Sequence, residues 1–523
     1  MDRHEARIVT FLSRRTTYPH PVGAIERRET HVSHVFLAGA FAYKLKKPVT
    51  FPFLDASTLA LRRKFCRLEL SLNRRLTTGV YLGTAPVVET PSGLRLGGKG
   101  RVIEWLVKMR RLPEERMMDA LIARHRVSRR DVERIADRLA GFFRRAQRGR
   151  AIRRYGEPAQ VAALVLGNLA ECRPFVGTLC AEADVRLLDA AFKQCLALHE
   201  PLLRQRVREG RIIDGHGDLR CENICLEPGA AQIFDCVEFE PAFRCGDMAN
   251  DLSFLAMDME FRGRHDLAAA LIARYRRRVG DASADQLLPL YQCHRSLVRG
   301  KVRGFAWRQH PNTAEGRRVR MLSRRHFTLA VRYARAFAPP RLIVVGGAIG
   351  TGKSTLARGL ADSLGAEWLR TDEIRLRDFA QRRRPGHGFA DGLYAPRVSD
   401  LVYQRLIRRA EAALRAGRSV VCDGTFSKVS GRVALRAIAK CCGASFHFIE
   451  CVVPRAVALK RVAARAAAGR DLSEARPEHY DRLRAGFEPV RGWPARDWTR
   501  LSDDRAPQAT LQAALAALRR AWK

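Results

Sequence analysis

A chain of 523 residues is too long for one ordinary domain, and about two to four are expected. Apolar residues make up 46%, enough for proper cores, yet no run of about eighteen of them occurs, which argues against a membrane span. Lys and Arg number 95 against 54 acidic residues, a formal charge of +41 that attracts polyanions and anionic substrates. That charge is spread along the whole sequence rather than gathered in one tail, as a compositional bias would spread it. Nucleic acid is therefore admitted as a partner but not favoured. The opening stretch MDRHEARIVTFLSRR mixes charges with apolar residues and has no secretory core. The 13 cysteines show no paired zinc-ligand spacing and read as reduced thiols of a cytoplasmic protein.

In chain order, HVFLAGAFAYKL from His34 predicts a strand, a small-residue turn and a second strand. Alternation places Lys44 and Lys46 on one face of that second strand, and either can serve a phosphate. The stretch from Leu59 has helical periodicity and contains Glu69. A strand lysine paired with a helix glutamate steadies nucleotide phosphates in protein-kinase-like folds. Strand patterns return at Tyr81–Val88 and Val102–Met109, and after Pro113 the texture becomes helical. IIDGHGDLRCENICL, from Ile212, fits H-x-D-x-x-x-x-N with His216, Asp218 and Asn223. Asp218 can orient an acceptor hydroxyl and accept its proton, and Asn223 can hold magnesium. AQIFDCVEF then delivers Asp235 as a second metal-binding carboxylate, although the Phe-Gly of D-F-G is absent.

These residues resemble the aminoglycoside phosphotransferase family, the small-molecule relatives of protein kinases, from about Val32 to Gly304. The resemblance implies a two-lobed kinase with Asp218 as base, Asn223 and Asp235 as magnesium ligands, and Asp251 of GDMANDLSFLAMD pinning the catalytic loop. HGDLRCEN departs from the commoner HGDLHLEN-like form at Arg220 and Cys221, which bears on positioning more than on chemistry. The helix YQCHRSLVRGKVRGF, with Tyr291, Arg295, Arg299 and Lys301, closes this domain as a solvated face or as part of an acceptor cleft. A strongly basic helical stretch follows, ended by Pro339 and Pro340.

RLIVVGGAIGTGKSTLARGL, from Arg341, predicts a buried strand, a phosphate loop and a helix. The loop residues Gly347, Ala348, Ile349, Gly350, Thr351 and Gly352 wrap phosphate with inward N–H groups. Lys353 reaches the outer phosphates, Ser354 ligates magnesium, and Thr355 continues the helix whose amino end faces the anion. After a strand at Glu367–Arg370, TDEIR puts Asp372 and Arg375 on one helix face as base and acceptor clamp. Strand SVVCDG ends in Asp423, suited to the magnesium-water shell, with Thr425 and Arg432 on the acceptor side. Strand SFHFIECVV leads into a basic helix where Arg461 and Arg465, one turn apart, can grip phosphates, with Arg470 at the lid tip.

From Arg341 to Ala506 these features resemble small P-loop kinases of the gluconate-kinase-like, polynucleotide-kinase-like and zeta-toxin-like groups, more than ring-forming ATPases. The tandem order resembles bacterial proteins described as bifunctional aminoglycoside phosphotransferase/ATP-binding proteins. The expected fold is an α+β two-lobed kinase-like domain followed by an α/β P-loop NTPase domain with a mostly parallel sheet and a helical lid. The expected boundaries are 1–305, a basic helical linker at 306–340, and 341–523. ATP and magnesium are the expected cofactors, since no guanine-reading N-K-x-D occurs, and the acceptors are unidentified hydroxyl-bearing small molecules. A nucleic-acid 5′-hydroxyl kinase, or an N-terminal ligand sensor governing the C-terminal nucleotide site, are the alternatives.

Overall fold

The computed structural model of the protein describes residues 3–51, 54–379, 392–468, 477–502 and 504–522. Contacts divide it into two compact units, Met1–Val161 with Leu202–Ser296, and Ala162–Pro201 with Leu297–Lys523. The units thus do not follow the contiguous boundaries at 305 and 341. The stretch expected to be a linker is the helix Ala314–Phe337, with Ser323, His326, Phe327 and Ala330 buried. Ser323 Oγ donates to the carbonyl of Gly300 (2.7 Å), so this helix packs into the second unit instead of bridging to it. An amphipathic helix must cover its apolar stripe, and basic composition on the other face concealed that need.

In the first unit HVFLAGAFAYKL forms the strands Ser33–Ala38 and Phe41–Lys46. Gly39 turns between them at φ +58, where a Cβ would lie 2.6 Å from the Pro21 carbonyl oxygen. The six-stranded sheet runs Ile25–Glu29, Ser33–Ala38, Phe41–Lys46, Arg101–Arg110, Tyr81–Thr90, Gly93–Leu96, all antiparallel. Helix Leu59–Asn73 packs on it, started by Thr58, whose hydroxyl accepts from the Leu61 N–H (3.2 Å). Its buried stripe is Phe65, Cys66, Glu69 and Leu72. A carboxylate in that company requires a cationic partner.

Deeper in the same unit Arg206, fully buried, donates to both oxygens of Asp247 (2.6 and 2.7 Å) and of Asp281 (2.6 and 2.9 Å). Asp247 also caps the helix Met248–Phe261 by accepting from the Ala249 N–H (2.9 Å). That helix carries Asp251, so the ion cluster orients the element on which the loop after Asp214 hangs.

The second unit centres on a parallel sheet ordered Glu367–Arg370, Val420–Asp423, Arg341–Gly346, Ser445–Val452, Trp498–Ser502. All six residues of Arg341–Gly346 are buried, as its central place demands. Helices Lys353–Leu364 and Pro507–Ala521 cover one face; Pro396–Arg415 and Val429–Cys441 cover the other. The strands end together near Gly346 and Asp423, which puts the loops after them side by side. No described helix is long and apolar enough to cross a membrane.

Burial alone would raise the Asp281 carboxyl, but the Arg206 guanidinium and the Tyr275 hydroxyl more than offset it and hold it at about 2. A depressed folded value contributes stability above about pH 4, lost as pH falls through about 2. Arg206→Met is expected to remove that acid-side dependence and, by stranding two buried carboxylates, to cost about 3–5 kcal/mol. Urea unfolding of wild type and variant from about pH 7 down to about pH 1.5 measures both effects.

Candidate functional sites

In the first unit, alternation brings both predicted lysines to Glu69. Lys44 Nζ donates to Glu69 Oε1 (2.9 Å) and Lys46 Nζ to Oε2 (2.6 Å). Lys44 also donates to Asp235 Oδ1 (2.8 Å), whereas Lys46 pairs with Glu238. Their exposures separate their roles: Lys44 is 13% exposed beside an Asp235 that is 45% exposed, while Lys46 is 5% exposed between two buried glutamates. Lys44 is thus the one that can meet a phosphate. Burial opposes its charge, yet Asp235 and Glu69 outweigh that and push its pKa well up.

The loop that carries His216, Asp218 and Asn223 follows the strand Ile212–Asp214, which pairs with Cys245–Asp247. Asp251 accepts from the N–H groups of His216 (2.6 Å) and Gly217 (2.9 Å), the pinning role expected of it. Any Cβ at Gly215 would stand 2.3 Å from Asp251 Oδ2, so glycine there is what lets the carboxylate approach. Arg295 adds a second brace, donating to the Gly217 carbonyl (3.1 Å) and to Asn250 Oδ1 (2.8 Å). It is an interior support, not a solvated face. Asp218 and Asn223 come together, Asn223 Nδ2 donating to Asp218 Oδ2 (3.0 Å). Arg220 grips both Asp218 oxygens at 2.7 Å, which orients the carboxylate. Asp235 sits at φ +63, a conformation costly for a non-glycine residue and retained at functional positions. The Phe234 N–H donates to the Asn223 carbonyl (3.0 Å), holding the two candidate metal ligands side by side. Two hard oxygen donors next to a phosphate-reaching lysine fit magnesium.

In the second unit the phosphate loop takes the predicted form. Gly347, Gly350 and Gly352 have φ of +140, +77 and +82. A Cβ on Gly350 would lie 2.5 Å from the Ala458 carbonyl oxygen. Thr351 Oγ1 (2.8 Å) and Lys353 Nζ (3.4 Å) both donate to the Ala348 carbonyl, folding the loop around its buried Ile349. No side chain caps the helix that begins at Lys353, so its first amides are available to an anion. Asp423 is 4% exposed, and burial pushes its carboxyl up against the pull of Lys353, Ser354 and Arg370. The Ser354 hydroxyl and this carboxylate beside the loop fit a hydrated magnesium ion.

Asp372 opens the helix Thr371–Phe379, near enough for its charge to act on both Asp423 and Tyr403. Arg375 does not accompany it into an acceptor site. Buried to 6% exposure, it donates to the Leu393 carbonyl (2.6 Å) and Ser399 Oγ (3.3 Å) and stacks on Tyr394 (4.5 Å). Arg432 is likewise internal, between the rings of Phe448 (5.4 Å) and Phe487 (5.2 Å), and not on the acceptor side. Thr425 keeps its place, and its carbonyl accepts from the Gly347 N–H (3.1 Å). Tyr403, which the sequence did not single out, bonds Thr425 Oγ1 (3.0 Å) and accepts from the Phe426 N–H (3.0 Å). On the helix Arg455–Ala468, Arg461 and Arg465 face a cavity of about 390 Å³ with Lys353 and Ser354 on its wall. Arg505 also lines it, a further cation that no sequence signal marked. Arg470 lies outside the described residues.

Over 457 residues the chain is 36% identical to an uncharacterized protein of Mycobacterium tuberculosis, covering 86% of this chain and 89% of that protein. A Mycobacterium bovis protein matches to the same extent. The chain belongs to the family of these mycobacterial proteins. The shared length exceeds either unit, so the tandem is a family property. Residues 342–490 match the family model described as an AAA domain. A gluconokinase from Sinorhizobium meliloti is similar at 20% identity over 35% of this chain and 93% of that one, with a TM-score of 0.28. A choline/ethanolamine kinase family protein from Mesorhizobium loti is similar at 14% identity over 63% and 98%, with a TM-score of 0.37.

Lys353→Ala removes a charge-assisted phosphate contact, and Gly350→Ala forces the loop off the Ala458 carbonyl. Each is expected to weaken ATP binding at the C-terminal site by roughly ten- to a hundredfold. Calorimetric titration of the full chain checks this, the dissociation constant rising by that factor while the protein stays folded.

Proposed function

We propose that the protein is an ATP- and magnesium-dependent phosphotransferase whose two units each pass a phosphoryl group to a hydroxyl of a small molecule. The observation that carries this is the phosphate loop, whose Lys353 and Ser354 line one cavity with Arg461 and Arg465, together with the buried Asp423 on which Lys353 and Ser354 act. In the C-terminal site Lys353 and the loop amides hold the phosphates, and the two lid arginines cover them with planar forks that exclude water. Asp372 accepts the proton of the attacking hydroxyl. Ser354 with Asp423, and Asn223 with Asp235, would hold magnesium, which neutralises phosphate charge when bound.

In the N-terminal site Lys44 holds the phosphates and Asp218 takes the acceptor proton. The acceptor oxygen bonds to the terminal phosphorus of ATP, the bridging bond to ADP breaks, and the proton passes from the aspartate to solvent. Arg220 supports this reading, because two charge-assisted bonds hold the Asp218 carboxylate aimed before the acceptor arrives. Localisation in the cytoplasm, where ATP is available, goes with the same proposal.

The test is a screen of hydroxyl-bearing metabolites with labelled ATP, using full-length wild type, Lys353→Ala, Asp372→Asn and Asp218→Asn. Asp218→Asn is expected to depress one set of transfers by ~10²–10⁴-fold and Asp372→Asn the other, with ATP binding retained in both. Unchanged transfer to every acceptor in Asp218→Asn would make the first unit a sensor or scaffold. Full transfer in Lys353→Ala and Asp372→Asn would remove the second unit as an enzyme. Label appearing only on nucleic-acid 5′ ends would replace the small-molecule reading.

A further inference from the structure

Lys46 and Glu238 take no part in the chemistry proposed above, yet they are among the most enclosed charges of the first unit. Lys46 is 5% exposed, Glu238 9% and Glu69 0%. Together with Lys44 and Asp235 they form a line of alternating charge, Asp235–Lys44–Glu69–Lys46–Glu238, every link a direct contact. Its two ends, Asp235 and Glu238, lie three residues apart on one loop, so the line closes into a loop-to-strand-to-helix clasp.

The same loop is fastened to the same helix by uncharged bonds. The Cys236 N–H donates to Asn73 Oδ1 (2.8 Å), and Asn73 Nδ2 donates to the Glu69 carbonyl (2.8 Å). The Val237 N–H donates to the His216 carbonyl (3.1 Å), tying in the catalytic loop.

We propose that Glu238 is a positioning residue of the N-terminal nucleotide site, acting through Lys46 on Glu69 and on the Asp235 loop. Asp235 and Lys44 are the ligand-facing members, and each must change partner when a metal and phosphates arrive. If Glu69 were oriented by Lys44 alone, that exchange would loosen the helix at the moment it is needed. With Lys46 fixed by Glu238, Glu69 keeps one oxygen bonded throughout. Without Glu238, two buried ammonium groups would share Glu69, and Lys46 would have no carboxylate of its own. The site is thereby assembled before ligand binds, and the helix Leu59–Asn73 cannot swing away without stranding buried charge. This inference rests on the reading of the first unit as a nucleotide site.

The experiment uses the full chain carrying both Lys353→Ala and Gly350→Ala, which together weaken the C-terminal site, so that the tighter ATP binding reports the first unit. Glu238→Gln is expected to lower affinity for ATP with magnesium by about ten- to a hundredfold, the range in which supports of metal ligands act. Affinity for ATP without magnesium, set by Lys44, is expected to change less than about threefold. Amide hydrogen exchange in Leu59–Asn73 is expected to accelerate. Glu238→Asp keeps the charge on a shorter stem and is expected to show the same pattern at smaller amplitude, which covers the case of a Gln variant that does not fold. A lowered melting temperature with magnesium-ATP affinity unchanged would overturn the proposal, leaving the pair a purely structural one. Absence of that tighter ATP binding in the Lys353→Ala, Gly350→Ala protein with Glu238 intact would instead sink the nucleotide-site reading itself, and this inference with it.

Discussion

An ionised group removed from water needs a partner of opposite sign, and this chain meets that demand by alternating charges. Glu69 lies between two lysines, Arg206 between two aspartates, and Asp423 beside Lys353 and Arg370. Such clusters are not strong sources of net stability, since desolvation offsets most of the attraction. Their effect is geometric. A side chain with two charged partners has one acceptable place, so Glu69 and Arg206 are each fixed in orientation by their own surroundings. Preorganised charge of this kind is what phosphoryl transfer uses, because the protein has little covalent work to do.

The elements with local causes were legible in the sequence. The strand Glu367–Arg370 and the phosphate loop have their predicted bounds, because an apolar run and glycines at set intervals leave one solution. Lys44, Lys46 and Glu69 were legible as a group through alternation and helical period. What remained open was which lysine faces the ligand, since Glu238 settles that from 192 residues away. Arg220 stood out as a departure from a motif, but its grip on Asp218 needs the turn between them. The fate of Arg375 and Arg432 was not legible. A helical spacing puts Asp372 and Arg375 on one face, yet the long arginine stem carries its guanidinium to the Leu393 carbonyl in the interior. The division into units was hidden for a similar reason. Residues 162–201 and 297–340 join the second unit through packing between distant segments, and the chain order offers no sign of it.

Buried arginines also bear on what the net charge means. Arg341 is 8% exposed over Trp522 at 4.1 Å, and burial pushes its guanidinium down to about 10. Arg375 stacks on Tyr394, Arg432 on Phe448 and Phe487, and Arg295 on Phe254 at 4.7 Å. A planar, weakly hydrated guanidinium loses less on leaving water than an ammonium and gains from the ring face. An arginine-rich chain can therefore place part of its charge inside, as packing material. The formal +41 counts every such residue as if it faced solvent. Long-range attraction of a polyanion depends on exposed and clustered cations, so the formal value overstates the pull on nucleic acid. The arginines best placed to meet phosphate are Arg461, Arg465 and Arg505, and they line a cavity of about 390 Å³, the scale of a small-molecule site.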